Sequence, residues 1–340
     1  MKFTKMEKRE LLIYGLVAFA VPYVLGILMW YGYTKEIDVS VFPNAQMLYP
    51  AAGAMLAVLL VRKKDVQIPK RFFVTYLVLT VLAIVMSIAS IFAPSDTLWL
   101  GGVQILLIVG SILCWIFMLT EKKEKRTAYG LRAKNAKSSV FCVVLFIVLY
   151  LLRTAIAYVA GGELGTMAEV CSNPTTWITI AVLPINFFLV FIAFFGEEYG
   201  WRYYLQPMLQ KRFGLRGGVI ILGIVWGLWH LPVNFFYYSP GSGLQSAVAQ
   251  QITCITLGIF FAYAYMKTQN IWVPVILHFL NNNLVPVITA DYSQEVLQNN
   301  QVTWGSLLPA LLLNGIIFGV FIFAKEFRKK EENFNYESEC

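Results

Sequence analysis

A chain of 340 residues that is 58% hydrophobic and 14% charged, with a mean hydropathy of +0.65, cannot keep its whole surface in water. Soluble domains run at about 45–50% apolar and about 25% charged residues. A soluble enzyme, a disordered chain and a nucleic-acid-binding module are therefore excluded, and an all-α integral membrane protein is indicated. The net charge of +8 then has to be read by where it falls along the chain.

Ten apolar runs of about 20 residues or more follow one another, at 11–31, 42–61, 72–93, 98–120, 139–160, 176–206, 215–237, 245–266, 271–290 and 305–324. Each is long enough for about 30 Å of hydrocarbon at about 1.5 Å per residue, and the expectation is a helical bundle of eight to ten transmembrane helices. The runs are too long for barrel strands and lack their alternation. Pro207 is expected to end the sixth span. With the N-terminus inside, 25 of the 27 lysines and arginines fall in the cytoplasmic segments or, as Arg202 and Arg216, at the cytoplasmic ends of their runs; Lys35 lies on the other side and Arg153 within the fifth span. The positive-inside rule then places both termini in the cytoplasm. The first run is longer than a signal peptide's apolar region and reads as an uncleaved anchor.

The basic stretch at 121–137 divides the chain into an N-terminal four-span region (1–138), a C-terminal membrane core (139–325) and a cytoplasmic tail (326–340). The cysteines, Cys114, Cys142, Cys171, Cys254 and Cys340, have neither metal-site spacing nor a disulfide framework. Cys340, as the last residue, forms no prenylation box.

Charged groups inside a bilayer are costly and mark function by default. They cluster in Gly196-Glu197-Glu198-Tyr199-Gly200-Trp201-Arg202 at the end of the sixth run. Glu198 and Arg202 are i,i+4 neighbours in the favourable order and can neutralise each other. Glu197 points about 100° away, so one carboxylate is structural and the other is available. Both histidines of the chain also lie in apolar runs. His230 shares a helix face with Trp226, and His278 shares one with Asn282. His278 lies about 10 Å into its span, Asn282 about 16 Å, Glu197 about 15 Å from the end at Pro207, and His230 about 22 Å beyond Leu215. These depths agree within about two helical turns, so the four residues can meet in one cavity.

A carboxylate in a low-dielectric site can act as general base on water, and a histidine can orient that water. A second histidine and an asparagine can donate to a developing oxyanion. This is a set for metal-free amide hydrolysis. Glu197, His230 and His278 are also a ligand set for catalytic zinc, although no H-E-x-x-H motif is present.

Glu197-Glu198-x-x-x-Arg202, then Trp226-x-x-x-His230, then His278-x-x-x-Asn282, in this order at membrane depth, resembles the CAAX prenyl protease type II family, also called CPBP or ABI. The resemblance covers about 176–290, with Trp226 standing where the family usually has Phe. It implies a multi-helix intramembrane glutamate-dependent endopeptidase that needs no cofactor. Glu197 would be the base, His230 its partner in activating water, and His278 and Asn282 the oxyanion hole, with Glu198, Arg202 and Trp226 in support. The implied substrates are membrane-associated peptides or proteins, lipidated or of bacteriocin type, met in the bacterial cell membrane from the cytoplasmic side. No nucleic-acid partner is expected, and the oligomeric state is left open.

A second reading keeps the fold without hydrolysis, as a binding, immunity or regulatory membrane protein. A third, a proton-coupled transporter, calls for paired broken spans in two related halves, and none are present. Arg153 lies outside the cluster and reads as structural, paired with a carboxylate or snorkelling outward.

Overall fold

The structure, a computed structural model, describes residues 3–95, 97–293 and 296–328. Of the tail expected at 326–340 only 326–328 are described, and Cys340 lies outside the described residues. The longer helices are α1 (Lys5–Thr34), α2 (Val41–Val61), α3 (Lys70–Phe92), α4 (Leu98–Leu119), α5 (Ala136–Gly161), α6 (Pro174–Glu198), α7 (Gln206–Trp229), α8 (Gly243–Thr268), α9 (Trp272–Asn283) and α10 (Trp304–Ile317). No strand occurs among the described residues. Thr4 and Glu7 start α1 with a capping box, and Asn173 followed by Pro174 starts α6.

Among the described residues seven segments are long and apolar enough to cross a membrane, and the chain is a multi-pass integral membrane protein. That is fewer than the ten runs in the sequence, for three reasons. Residues 174–229 count as one segment of 56 residues. The 271–290 run is divided into α9 and a short helix Val285–Thr289. The run from 305 is α-helical only to Ile317, then turns into a 3₁₀ helix.

The 56-residue segment folds back on itself, and the turn is not where the sequence suggested. Pro207 does not end the helix. A π-helical stretch, Tyr199–Leu205, precedes it, and Pro207 sits in the first turn of α7, where its missing N–H costs little. The break comes at Gly214, with φ 77° and ψ 166°, a conformation open essentially to glycine alone. The chain reverses so tightly there that a Cβ at Gly218 would meet the Gln210 backbone nitrogen at 2.5 Å. Glu197 and His230 stand nearly equal distances along the chain before and after Gly214, so the hairpin brings them to one level.

Polar contacts gather at the two ends of the bundle. At one end Glu10 pairs with Arg62 at 2.8 Å, Glu7 with Lys211 at 2.6 Å and Lys267 with Glu326 at 3.3 Å. Asp65 accepts from the Tyr129 hydroxyl, and Trp272 donates to the Leu131 carbonyl. The hydrogen bond and charge of Glu10 hold the Arg62 guanidinium above its ordinary pKa, against the cost of burial. At the other end Gln298 donates to Ser40, the Val302 N–H donates to Ser242, and Thr176 meets Tyr292. The N-terminal region, the 121–137 segment, the Gly214 turn and the end of α8 thus share one face, which is where most of the basic residues lie.

The N-terminal helices also brace the backbone of α6 and α7. Tyr76 donates to the Ile192 carbonyl, Gln46 to the Trp229 carbonyl and Tyr14 to the Gly200 carbonyl in the π-helical stretch. Two more π-helical stretches, Leu16–Ala20 and Asn234–Tyr238, lie beside this region, and Ala18 in the first accepts from the Trp229 indole. Wide turns of this kind are frequent at functional sites.

Close approach of α2 to the π-helical stretch depends on Gly200, where a Cβ would strike the Pro50 backbone. Gly200→Ala is expected to cost about 1–3 kcal/mol, whereas Gly315→Ala, which meets open space in a helix, is expected to be neutral or stabilising. Thermal unfolding of the two variants in detergent checks this. Equal midpoints would contradict the packing.

Candidate active site

Glu197 and Glu198 end α6, and successive helical residues diverge by about 100°. Glu198 therefore faces α9 and Arg202 while Glu197 faces α7. Glu198 Oε2 accepts from Arg202 Nε at 3.0 Å and its Oε1 accepts from His278 Nδ1 at 2.9 Å. Both Glu198 and Arg202 are fully buried. The guanidinium lies over the rings of Trp226 at 5.0 Å and Phe261 at 5.7 Å, so its charge is met by one carboxylate and two aromatic faces.

Glu197 is buried without an ion-pair partner among the described residues. Its Oε2 accepts from the indole N–H groups of Trp226 at 2.8 Å and Trp201 at 3.3 Å. Two neutral donors hold one oxygen in place and leave the charge unneutralised. The neighbouring carboxylates thus have different surroundings, one tied to a cation and one to indoles.

His230 ends α7. Its Nδ1 lies 2.8 Å from the Trp226 carbonyl and 3.8 Å from Cys254 Sγ. A carbonyl only accepts, so Nδ1 carries the proton, and in its neutral form the ring has an unprotonated Nε2. The His230 carbonyl accepts from Asn234 Nδ2 at 3.0 Å, and Asn234 Oδ1 accepts from Ser246 at 2.8 Å. His278 is turned the other way, its Nδ1 held by Glu198. The Trp226 ring stands between the two, with centroids 6.0 Å from His230 and 5.6 Å from His278.

The structure thus gathers Glu197, Glu198, Arg202, Trp226, His230 and His278 into one buried cluster. Asn282 is half-buried one turn beyond His278 and accepts from Asn281 Nδ2 at 3.0 Å. Among the described residues no three His, Cys, Asp or Glu side chains are grouped to hold a metal. Sequence reading missed Trp201, Asn234 and Ser246. Trp201 lies four residues after Glu197 and Asn234 four after His230, the same helical spacing that revealed Arg202.

Residues 177–284 match the family model of the type II CAAX prenyl endopeptidases, Rce1-like. Every motif residue from Glu197 to Asn282 falls inside that stretch. The chain is also similar to CAAX prenyl protease 2 of Methanococcus maripaludis, 32% identical over 106 residues, covering 29% of this chain and 39% of that relative. The match thus spans well under half of the relative's length. No solved structure matches.

Removing one partner of a buried ion pair strands the other, at about 3–5 kcal/mol. Glu198→Ala is expected to lose that much stability, and adding Arg202→Met is expected to restore much of it, because neither charge of the pair is then left stranded. Chemical denaturation in detergent of the single and double variants measures this. A double variant no more stable than the single would contradict the pairing.

Proposed function

We propose that the chain is an intramembrane endopeptidase that hydrolyses membrane-associated peptides with activated water. The observation that carries this reading is Glu197, a buried carboxylate fixed by two indole donors and left without a cation. Such a group is a candidate base, whereas Glu198 is committed to Arg202 and His278. The Rce1-like match over the same residues supports it.

In this mechanism a water molecule lies between Glu197 and the unprotonated Nε2 of His230. Glu197 takes its proton as the water oxygen adds to the scissile carbonyl carbon. His278, whose Nδ1–H is given to Glu198, donates to the oxyanion from Nε2 as the doubly protonated ring, beside the Asn282 amide. Collapse breaks the C–N bond, and the proton passes to the leaving amine. The products are a new carboxylate and a free amine, with no covalent intermediate on the protein. The ring of basic segments at one end of the bundle is assigned to the cytoplasm by the positive-inside rule, and peptides would enter from that side. The relative named CAAX prenyl protease 2 points to substrates whose C-terminal Cys-a-a-X box carries a prenyl group.

The test is cleavage of a farnesylated Cys-a-a-X peptide by the purified protein in lipid nanodiscs, with products identified by mass spectrometry. Cleavage after the modified cysteine, retained in excess EDTA and lowered about 10²- to 10⁴-fold in His230→Ala, is the expected result. A chelator-sensitive activity restored by zinc would overturn the metal-free mechanism. No cleavage of any membrane peptide would overturn the protease reading.

A further inference from the structure

Arg153 is the cation that the site described above does not use. It lies far inside α5, seventeen residues from Ala136 and eight from Gly161, and is half-buried. Among the described residues no carboxylate pairs with it and no hydrogen bond satisfies it; its guanidinium lies 5.5 Å from the Tyr150 ring. A cation at this depth is costly unless an anion meets it. Among the described residues each arginine or lysine in an ion pair, from Arg62 to Lys267, meets a glutamate of this chain.

The position of Arg153 is set by α5 and α9, which run side by side in the same direction. Ser139 bonds Asn270, Tyr150 donates to the Asn281 carbonyl at 3.5 Å, and Tyr158 donates to the Ile288 carbonyl. The offset is constant to within one residue, so Arg153 stands level with about Leu284. That is six residues beyond His278, about 9 Å of helical rise. Contacts link it back to the site: Arg153 stacks on Tyr150, Tyr150 donates to Asn281, and Asn281 donates to Asn282. An extended tripeptide spans about 10 Å.

We propose that Arg153 binds the C-terminal carboxylate of the peptide, setting the length of the leaving fragment at about three residues. The proposal rests on the protease reading for its placement of the scissile bond at Glu197. A guanidinium suits this task because it meets a carboxylate with two parallel N–H donors, and the low dielectric strengthens the contact. Arg153 is then a specificity residue that the peptide itself neutralises.

The probe is a fluorescein-labelled decapeptide ending in farnesyl-Cys-Val-Ile-Met, prepared with a free carboxylate or as the carboxamide. Binding and cleavage are measured separately with wild type, Arg153→Gln and Arg153→Lys in phosphatidylcholine nanodiscs. Wild type is expected to bind the acid about 10- to 100-fold more tightly than the amide and to show the same preference in KM with kcat little changed. Arg153→Gln is expected to lose that preference while still handling the amide as wild type does, which also reports that it is folded. Arg153→Lys is expected to keep part of the preference. Equal handling of acid and amide by wild type, or an unchanged preference in Arg153→Gln, overturns the assignment and leaves the protease reading standing. Acid-selective binding that depends on Arg153 without any cleavage overturns the protease reading and leaves the carboxylate site standing. Neither binding nor cleavage of either peptide overturns both.

Discussion

The contact between Glu198 and Arg202 is the one on which the rest of the site depends. Both side chains are fully buried, and each is expensive alone in a low-dielectric interior. Together, with His278 on the second carboxylate oxygen and aromatic faces against the guanidinium, they offset each other's charge, while Arg202 Nη1 and Nη2 are buried with no hydrogen-bond partner among the described residues. That cluster joins α6, the π-helical stretch after it, α9 and the ring of Trp226 from α7. With one carboxylate tied down in this way, its sequence neighbour is held about 100° around the helix, in contact with the Trp226 indole N–H.

The site is therefore asymmetric by construction. Glu197 and Glu198 are adjacent in sequence and equally buried, yet one meets a cation and the other meets indole N–H groups. The two histidines repeat the pattern. His278 is anchored by a carboxylate and His230 by a backbone carbonyl, which leaves each with a free Nε2 in a different electrostatic setting. The helices of the N-terminal region serve this arrangement from outside. Tyr14, Gln46 and Tyr76 reach the backbone of α6, α7 and the π-helical stretch between them, where widened turns expose carbonyls that regular helix would keep.

Much of this is written in short-range spacing. The apolar runs specify helices because their backbone groups need internal partners in lipid. The Glu198–Arg202 pair follows from i,i+4 geometry, as do the contacts of Trp201 with Glu197 and of Asn234 with His230, which the same rule would have found. The gathering of basic segments at one end also follows from their order along the chain. Other features have no local signature. The bond between Glu198 and His278 joins residues 80 positions apart. The helix continues through Pro207 because a π-helical turn precedes it, and a π turn depends on packing around it as well as on its own residues. The reversal instead falls at Gly214, one glycine among many in the sequence, chosen because its backbone must take a conformation that other residues avoid. The Tyr150 bond that ties Arg153 to the asparagines of α9 depends on the register of two helices distant in sequence.

The central claim is that Glu197 acts on substrate and Glu198 holds the fold. The most direct measurement is single-turnover cleavage of the farnesylated peptide by Glu197→Gln, made on the same preparation as its thermal unfolding curve. The account predicts a midpoint close to wild type, because the amide oxygen still accepts from both indoles, together with a loss of at least about 10²-fold in the cleavage rate. Cleavage at the wild-type rate by a fully folded Glu197→Gln protein would contradict it.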